Sequence, residues 1–124
     1  MQWVISSKES QYLYMPVLRI LMAVVYGMLC FSAGAQRQGR ERVDSLARAL
    51  ALCTKDTAQV SILAELANVY SGLDPDSGII YGLKAVRLAE QKNWMKGQAL
   101  GEYYLGFNYY NKSDYPAALS HLFR

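Results

Sequence analysis

The stretch Leu105-Gly106-Phe107-Asn108-Tyr109-Tyr110-Asn111-Lys112-Ser113-Asp114-Tyr115-Pro116-Ala117-Ala118 decides the fold. It reads as the end of one helix, a turn, and the start of the next. Leu105 and Tyr109 stand one helical turn apart and share a face. Gly106 beside Leu105 has no side chain, so a partner helix can approach closely there. Asn111-Lys112-Ser113 breaks the apolar pattern, and Asp114 offers a carboxylate to the free amides of a new first turn. The helix that opens Tyr115-Pro116-Ala117 meets no glycine, proline or other stop signal before Arg124. The spacing therefore predicts a helix still running at Arg124, in a chain that is the first part of a longer protein.

Upstream, Leu66-Ala67-Asn68-Val69-Tyr70 repeats the same order: leucine, a tiny residue, two others, tyrosine. A turn with Gly72 follows, and Asp74-Pro75 then starts another helix, aspartate at the cap and proline in the first turn. That third helix carries Ile79, Ile80, Leu83, Val86 and Leu88 as far as Lys92. The break Asn93-Trp94-Met95 separates it from a fourth helix over 97–110, with Trp94 expected to cover the end of the hairpin core. The second helix spans 57–70, with Val60, Leu63, Ala67 and Tyr70 on one face and Ile62, Leu66 and Val69 widening it. Asp56 with Gln59 three positions on has the spacing of a capping box. Ahead of them Val43, Leu46, Ala47 and Leu50 form one stripe of a leading helix. No stretch alternates apolar and polar residues for long enough to predict a strand, so the fold class is all-α. Ala85 and Ala118 are the small contacts that would face Ala67 and Gly106 across each hairpin.

This pattern resembles the tetratricopeptide repeat, a helical hairpin that stacks into an α-solenoid. The resemblance covers residues 57–124, about one and three-quarter repeats after the leading helix. Leu105, Gly106, Tyr109, Asp114, Tyr115, Ala118 and Leu122 fall at that family's spacings. The first copy departs from the pattern: Gly78 stands where an alanine is usual, and its turn is one residue shorter. The copies also lie further apart than the usual repeat of about 34 residues. With an export signal ahead of Val43-Asp44-Ser45-Leu46 and Asp56-Thr57, the chain is similar to the periplasmic front end of bacterial sensors. Such a resemblance implies a membrane helix and a histidine-kinase or regulator output downstream. It also implies a protein or peptide as partner, and self-association at the open end of the array. A free-standing periplasmic adaptor is the alternative.

The export signal is read from Ile20–Phe31, an unbroken apolar run of the length of a signal-peptide core, with Arg19 before it and Ser32-Ala33-Gly34-Ala35 after it. Cleavage before Gln36 is expected, with Met15 the more compact start. An uncleaved anchor is the rival, although a span needs about 20 apolar residues. The expected organisation is thus a signal peptide over 1–35, a leading helix and linker over 36–56, and repeats over 57–124.

Composition excludes several classes. The 124 residues are 52% hydrophobic, with net charge +3, 2 cysteines and 1 histidine. That balance is too apolar for a disordered chain and too weakly basic for a nucleic-acid partner. Two cysteines build no disulfide scaffold, and Cys53, left alone after cleavage, reads as a small buried hydrophobe. There is no carboxylate pair, Cys/His dyad, phosphate-cradling glycine loop or metal spacing, so no enzyme, metal or cofactor is expected. His121 lacks the flanks of a phospho-accepting histidine and reads as an ordinary surface or groove residue.

Function would then sit on the inner face of the array, lined by the first helix of each hairpin. On the fourth helix Tyr103, Phe107 and Tyr110 recur at i, i+4 and i+7, offset from the Leu105–Tyr109 stripe. The matching face one repeat earlier is Ala64, Asn68 and Ser71, small and polar. Together Tyr103, Phe107, Tyr110 and Asn68 form the candidate partner-binding groove, suited to an extended peptide or a helix. The other reading packs the aromatic stripe against the preceding helix or against a further repeat.

Overall fold

The computed structural model describes residues 7–124, with side chains described except at 7–13 and 30–33. Residues 1–6 of the segment ahead of Met15 lie outside that range, and so do the side chains of Cys30 and Ala33. Five helices follow one another: α1 (Ser7–Leu52), α2 (Asp56–Ser71), α3 (Pro75–Gln91), α4 (Met95–Asn111) and α5 (Tyr115–Leu122). No strand occurs among the described residues, as the periodicity predicts.

The chain divides into two compact units, Met1–Arg37 and Gln38–Arg124. In the first, α1 is helical from Ser7 on, and its described side chains from Tyr14 to Leu29 are all exposed. By length and composition this helix is apolar enough to cross a membrane. It continues as helix through Ser32–Ala35.

In the second unit α2 packs on α3 and α4, α3 on α4, and α4 on α5. The core is Val60, Leu63 and Ala64 of α2 with Ala85 and Ala89 of α3, closed by Leu50, Tyr81, Leu88, Trp94 and Tyr104. Leu66, Ala67, Val86, Leu105 and Ala118 are also buried. Val43, Leu46 and Leu50 of the leading stripe are half-buried, but Ala47 is exposed. The buried face of α3 is not its row of large residues. Gly78, Gly82, Ala85, Val86 and Ala89 are inside, while Ile80 is exposed. Small residues at i, i+4, i+7 and i+11 let whole backbones approach. An alanine Cβ at Gly82 would lie 3.3 Å from Leu105 Cα, and one at Gly106 would lie 3.1 Å from the Ala118 carbonyl.

The helix ends differ in mechanism from the expected ones. Asp56 is the first residue of α2 rather than its cap. Its carboxylate pairs with Lys92 Nζ at 2.9 Å, and Gln59 Nε2 donates to the Cys53 carbonyl at 2.6 Å, so no capping box forms. Asp74 holds the cap position of α3, but its side chain accepts from the Ser77 hydroxyl instead of a backbone amide. Asp114 does cap α5, accepting from Ala117 N at 3.2 Å. That helix is assigned over Tyr115–Leu122, and the Phe123 amide still donates to the Leu119 carbonyl in the α-helical pattern. Gly72 closes α2 at φ −97°, a conformation any residue adopts.

The ends of α3 and α4 share one device. Asn93 (φ 49°) and Ser113 (φ 62°) turn left-handed. Trp94 N then donates to the Ala89 carbonyl and Asn93 N to Glu90; Asp114 N donates to Tyr109 and Ser113 N to Tyr110. Both are Schellman turns built without glycine. The α2–α3 turn has no left-handed residue and closes from Asp74 N to Tyr70 O, one residue shorter than Asp114 N to Tyr109 O, although both turns hold three residues between helices, 72–74 and 112–114. Ser113 carries Cβ strain that glycine would remove. Ser113→Gly should raise the unfolding free energy by about 0.5–1 kcal/mol, read by amide exchange of α4 and α5. A loss of protection there would refute the strain.

Candidate functional site

The three predicted aromatic residues are brought together on one face of α4. Tyr103, Phe107 and Tyr110 are 55%, 38% and 55% exposed, so they do not pack into the preceding helix. Phe107 and Tyr110 stack with centroids 6.4 Å apart. Tyr110 meets Tyr115 of α5 edge-on at 5.8 Å, and Tyr103 meets Tyr104 edge-on at 5.1 Å. Leu100 is exposed one turn earlier on the same face. The result is a row of rings, each held by a neighbour, with about half of the surface of Tyr103 and Tyr110 and a smaller share of Phe107 open to a partner.

Asn68 stands apart from that row. It is half-buried on α2, and its amide donates to Glu65 Oε2 at 3.4 Å. No hydrogen bond or ring contact joins it to the three aromatic side chains among the described residues. The face expected beside it is also smaller than the spacing implies. Ala64 is fully buried in the core, and Ser71 turns its hydroxyl onto the Asn68 carbonyl at 2.6 Å. Trp94 does cover the hairpin end: its ring lies over Gly97, where a Cβ would fall 2.1 Å from Cε3.

Two polar arrangements escape a reading by apolar periodicity. Asn108 is fully buried, and its Nδ2 donates to the Ala67 carbonyl of α2 at 2.9 Å and to Tyr104 O at 2.8 Å. Its Oδ1 accepts no hydrogen bond and faces Gly78 of α3. One amide thus ties α4 to α2 while resting on α3. Asn111 repeats the link, donating to the Ser71 carbonyl at 3.0 Å. The second arrangement joins α4 to α5. Glu102 is buried, with His121 Nδ1 at 2.7 Å and Arg124 Nη1 at 3.3 Å. The short contact is a hydrogen bond between the Glu102 carboxyl and the His121 imidazole. The His121 ring also stacks on Tyr109 at 5.3 Å. His121 is therefore an interhelix strut, not an open surface residue. A polar residue at helical spacing could have flagged both, but Asn108 and Glu102 read equally well as solvated positions.

Cys53 is half-buried, its thiol 3.6 Å from the Lys55 carbonyl. No group of three or more His, Cys, Asp or Glu positioned for a metal occurs among the described residues. The protein families, curated proteins and solved structures compared with this chain include none that matches it.

Proposed function

We propose that this chain is an exported helical-repeat module of the tetratricopeptide type that binds a protein or peptide. In this reading it is the N-terminal part of a larger membrane sensor with a histidine-kinase-like output, and the binding face looks into the periplasm. The observation that carries it is the open aromatic row Tyr103, Phe107 and Tyr110 on α4. Two antiparallel pairs, α2 with α3 and α4 with α5, support the repeat reading, since each first helix also meets the other. Close approach at Gly106 and Ala118 does the same. The apolar, exposed α1 from Tyr14 to Leu29 supports export.

The test places a photo-crosslinking phenylalanine at Phe107, and at Lys84 of α3 as control, in living cells. A discrete adduct from position 107 alone, lost when Tyr103 and Tyr110 are both alanine, is the expected result. No adduct, or the same adducts from both positions, would remove the binding face. Alkaline phosphatase fused after Leu52 reports export separately: the fusion should be active, and an inactive one places the module in the cytoplasm.

A further inference from the structure

We infer that the cleft between the second half of α1 and the α2–α3 turn binds a free α-amino acid with an apolar side chain. The cleft, about 370 Å³, is lined by Arg40, Val43, Asp44, Tyr70, Leu73 and Asp74. That volume is at the small end of ligand pockets, about 300–1,000 Å³. All six residues belong to the Gln38–Arg124 unit.

The polar groups that line it do not pair with one another among the described residues. Arg40 and Asp44 are one turn apart on α1, yet they form no ion pair among the described residues. The Tyr70 hydroxyl has no hydrogen-bond partner there either. Asp74 gives one carboxylate oxygen to Ser77 and keeps the other unengaged. Convergent polar groups left unpaired by their own chain are what a ligand site requires. The walls between them are Val43, Leu73 and the Tyr70 ring. That ring is fixed by stacking on Tyr81, centroids 5.3 Å apart and planes 7° from parallel. Leu73 is fixed by contact with α1, its Cδ2 3.0 Å from where a Cβ on Gly39 would be.

The charge pattern selects the ligand. Two carboxylates repel a simple anion. A divalent ion would have only two carboxylates to bind and a guanidinium in its shell, a poor hard-cation site. A lone amine would leave Arg40 unused. An α-amino acid uses every group: its ammonium lies between Asp44 and Asp74, and its carboxylate on Arg40 and the Tyr70 hydroxyl. Its side chain lies on Val43 and Leu73. Burial raises the Tyr70 pKa above its ordinary value, and Tyr81, Asp74 and Asp44 push it the same way. The phenol therefore stays protonated and able to donate.

Isothermal titration of the full chain in detergent with L-leucine tests the site. Saturable binding is expected, weakened at least about tenfold in L-leucinamide, which lacks the carboxylate, and in N-acetyl-L-leucine, which lacks the ammonium. Asp44→Asn and Arg40→Gln, both at exposed positions, should each weaken L-leucine similarly and leave the amide exchange of α2–α5 unchanged. No saturation by L-leucine, L-valine or L-phenylalanine up to about 10 mM overturns the inference. So does equal binding of the blocked derivatives, or unchanged affinity in both variants. Trileucine binding as tightly as L-leucine would assign the cleft to peptide amino termini and overturn the free amino acid. The aromatic row on α4 is not involved, so replacing Tyr103, Phe107 and Tyr110 by alanine leaves this titration unchanged. The two sites thus fail separately.

Discussion

Gly78→Ala should unfold the contact between α3 and α4, lowering stability by about 2–3 kcal/mol. The sign is not obvious, because alanine in a helix interior is ordinarily worth up to about 1 kcal/mol over glycine. Geometry reverses it. A Cβ at position 78 would stand 1.9 Å from Asn108 Oδ1 and 2.5 Å from its Cγ. The amide cannot retreat without giving up its bonds to Ala67 O and Tyr104 O, and a net hydrogen bond is worth about 1 kcal/mol. Gly72→Ala is the control. Nothing lies within 4 Å of its Cβ position and its φ is −97°, so the same change there should be neutral or stabilising by up to about 1 kcal/mol. Hydrogen exchange of α3 and α4 amides in the full chain reads both. Equal protection in the two variants would sink the argument. A Gly78→Ala, Asn108→Ala double variant should recover part of the loss, because shortening Asn108 removes the clash, and additive losses would contradict it.

The same glycine shows how far the sequence could be read. Helix count, order and class were legible because each helix carries an apolar stripe and each break carries a turn residue. Ends were less so. Asp56 and Asp74 have cap chemistry, yet one lies inside its helix and the other is turned to Ser77, while the two left-handed turns fall on Asn93 and Ser113, where glycine would have been the signal. On α3 the sequence marks Ala85 as a close contact, and it is buried beside Val86. Burial there is achieved by Gly78, Gly82, Ala85 and Ala89, which let helices touch through their backbones, whereas periodicity weighs bulky residues such as Ile80. At Gly78 the neighbouring helix inserts the Asn108 amide where a side chain would begin.

At the candidate face, the i, i+4, i+7 spacing located Tyr103, Phe107 and Tyr110 on one side of α4, and they are exposed together. What spacing cannot give is depth. Ala64 and Asn68 share the equivalent register on α2, but Ala64 belongs to the core with Val60, Leu63, Ala85 and Ala89, and Asn68 is half-buried. The cleft beside Tyr70 was invisible for a different reason. Its six residues come from α1, the end of α2 and the turn after it, and only the packing of those segments brings them around one cleft.

Leu105→Ala should cost about 3–4 kcal/mol, a large share of the roughly 5–15 kcal/mol that holds a small domain folded. Leu105 is 1% exposed on the face of α4 opposite the aromatic row, with its Cβ 3.2 Å from where a side chain on Gly82 would begin. Because Gly82 contributes no atoms to fill the gap, the space left by the lost leucine would stay open instead of collapsing. The cost therefore belongs in the upper part of the measured range for buried leucines, about 2.7–5 kcal/mol. Phe107→Ala, two residues along the same helix, removes a larger side chain from a surface position and should cost less than about 1 kcal/mol. Amide exchange separates them: Leu105→Ala should lower protection across α3, α4 and α5 by about two to three powers of ten, while Phe107→Ala leaves it nearly unchanged. The reverse ranking would mean that the aromatic row, not the Leu105 stripe, faces the core. A partner surface on α4 requires that Phe107 be dispensable to folding and Leu105 not, and this pair of variants measures that directly.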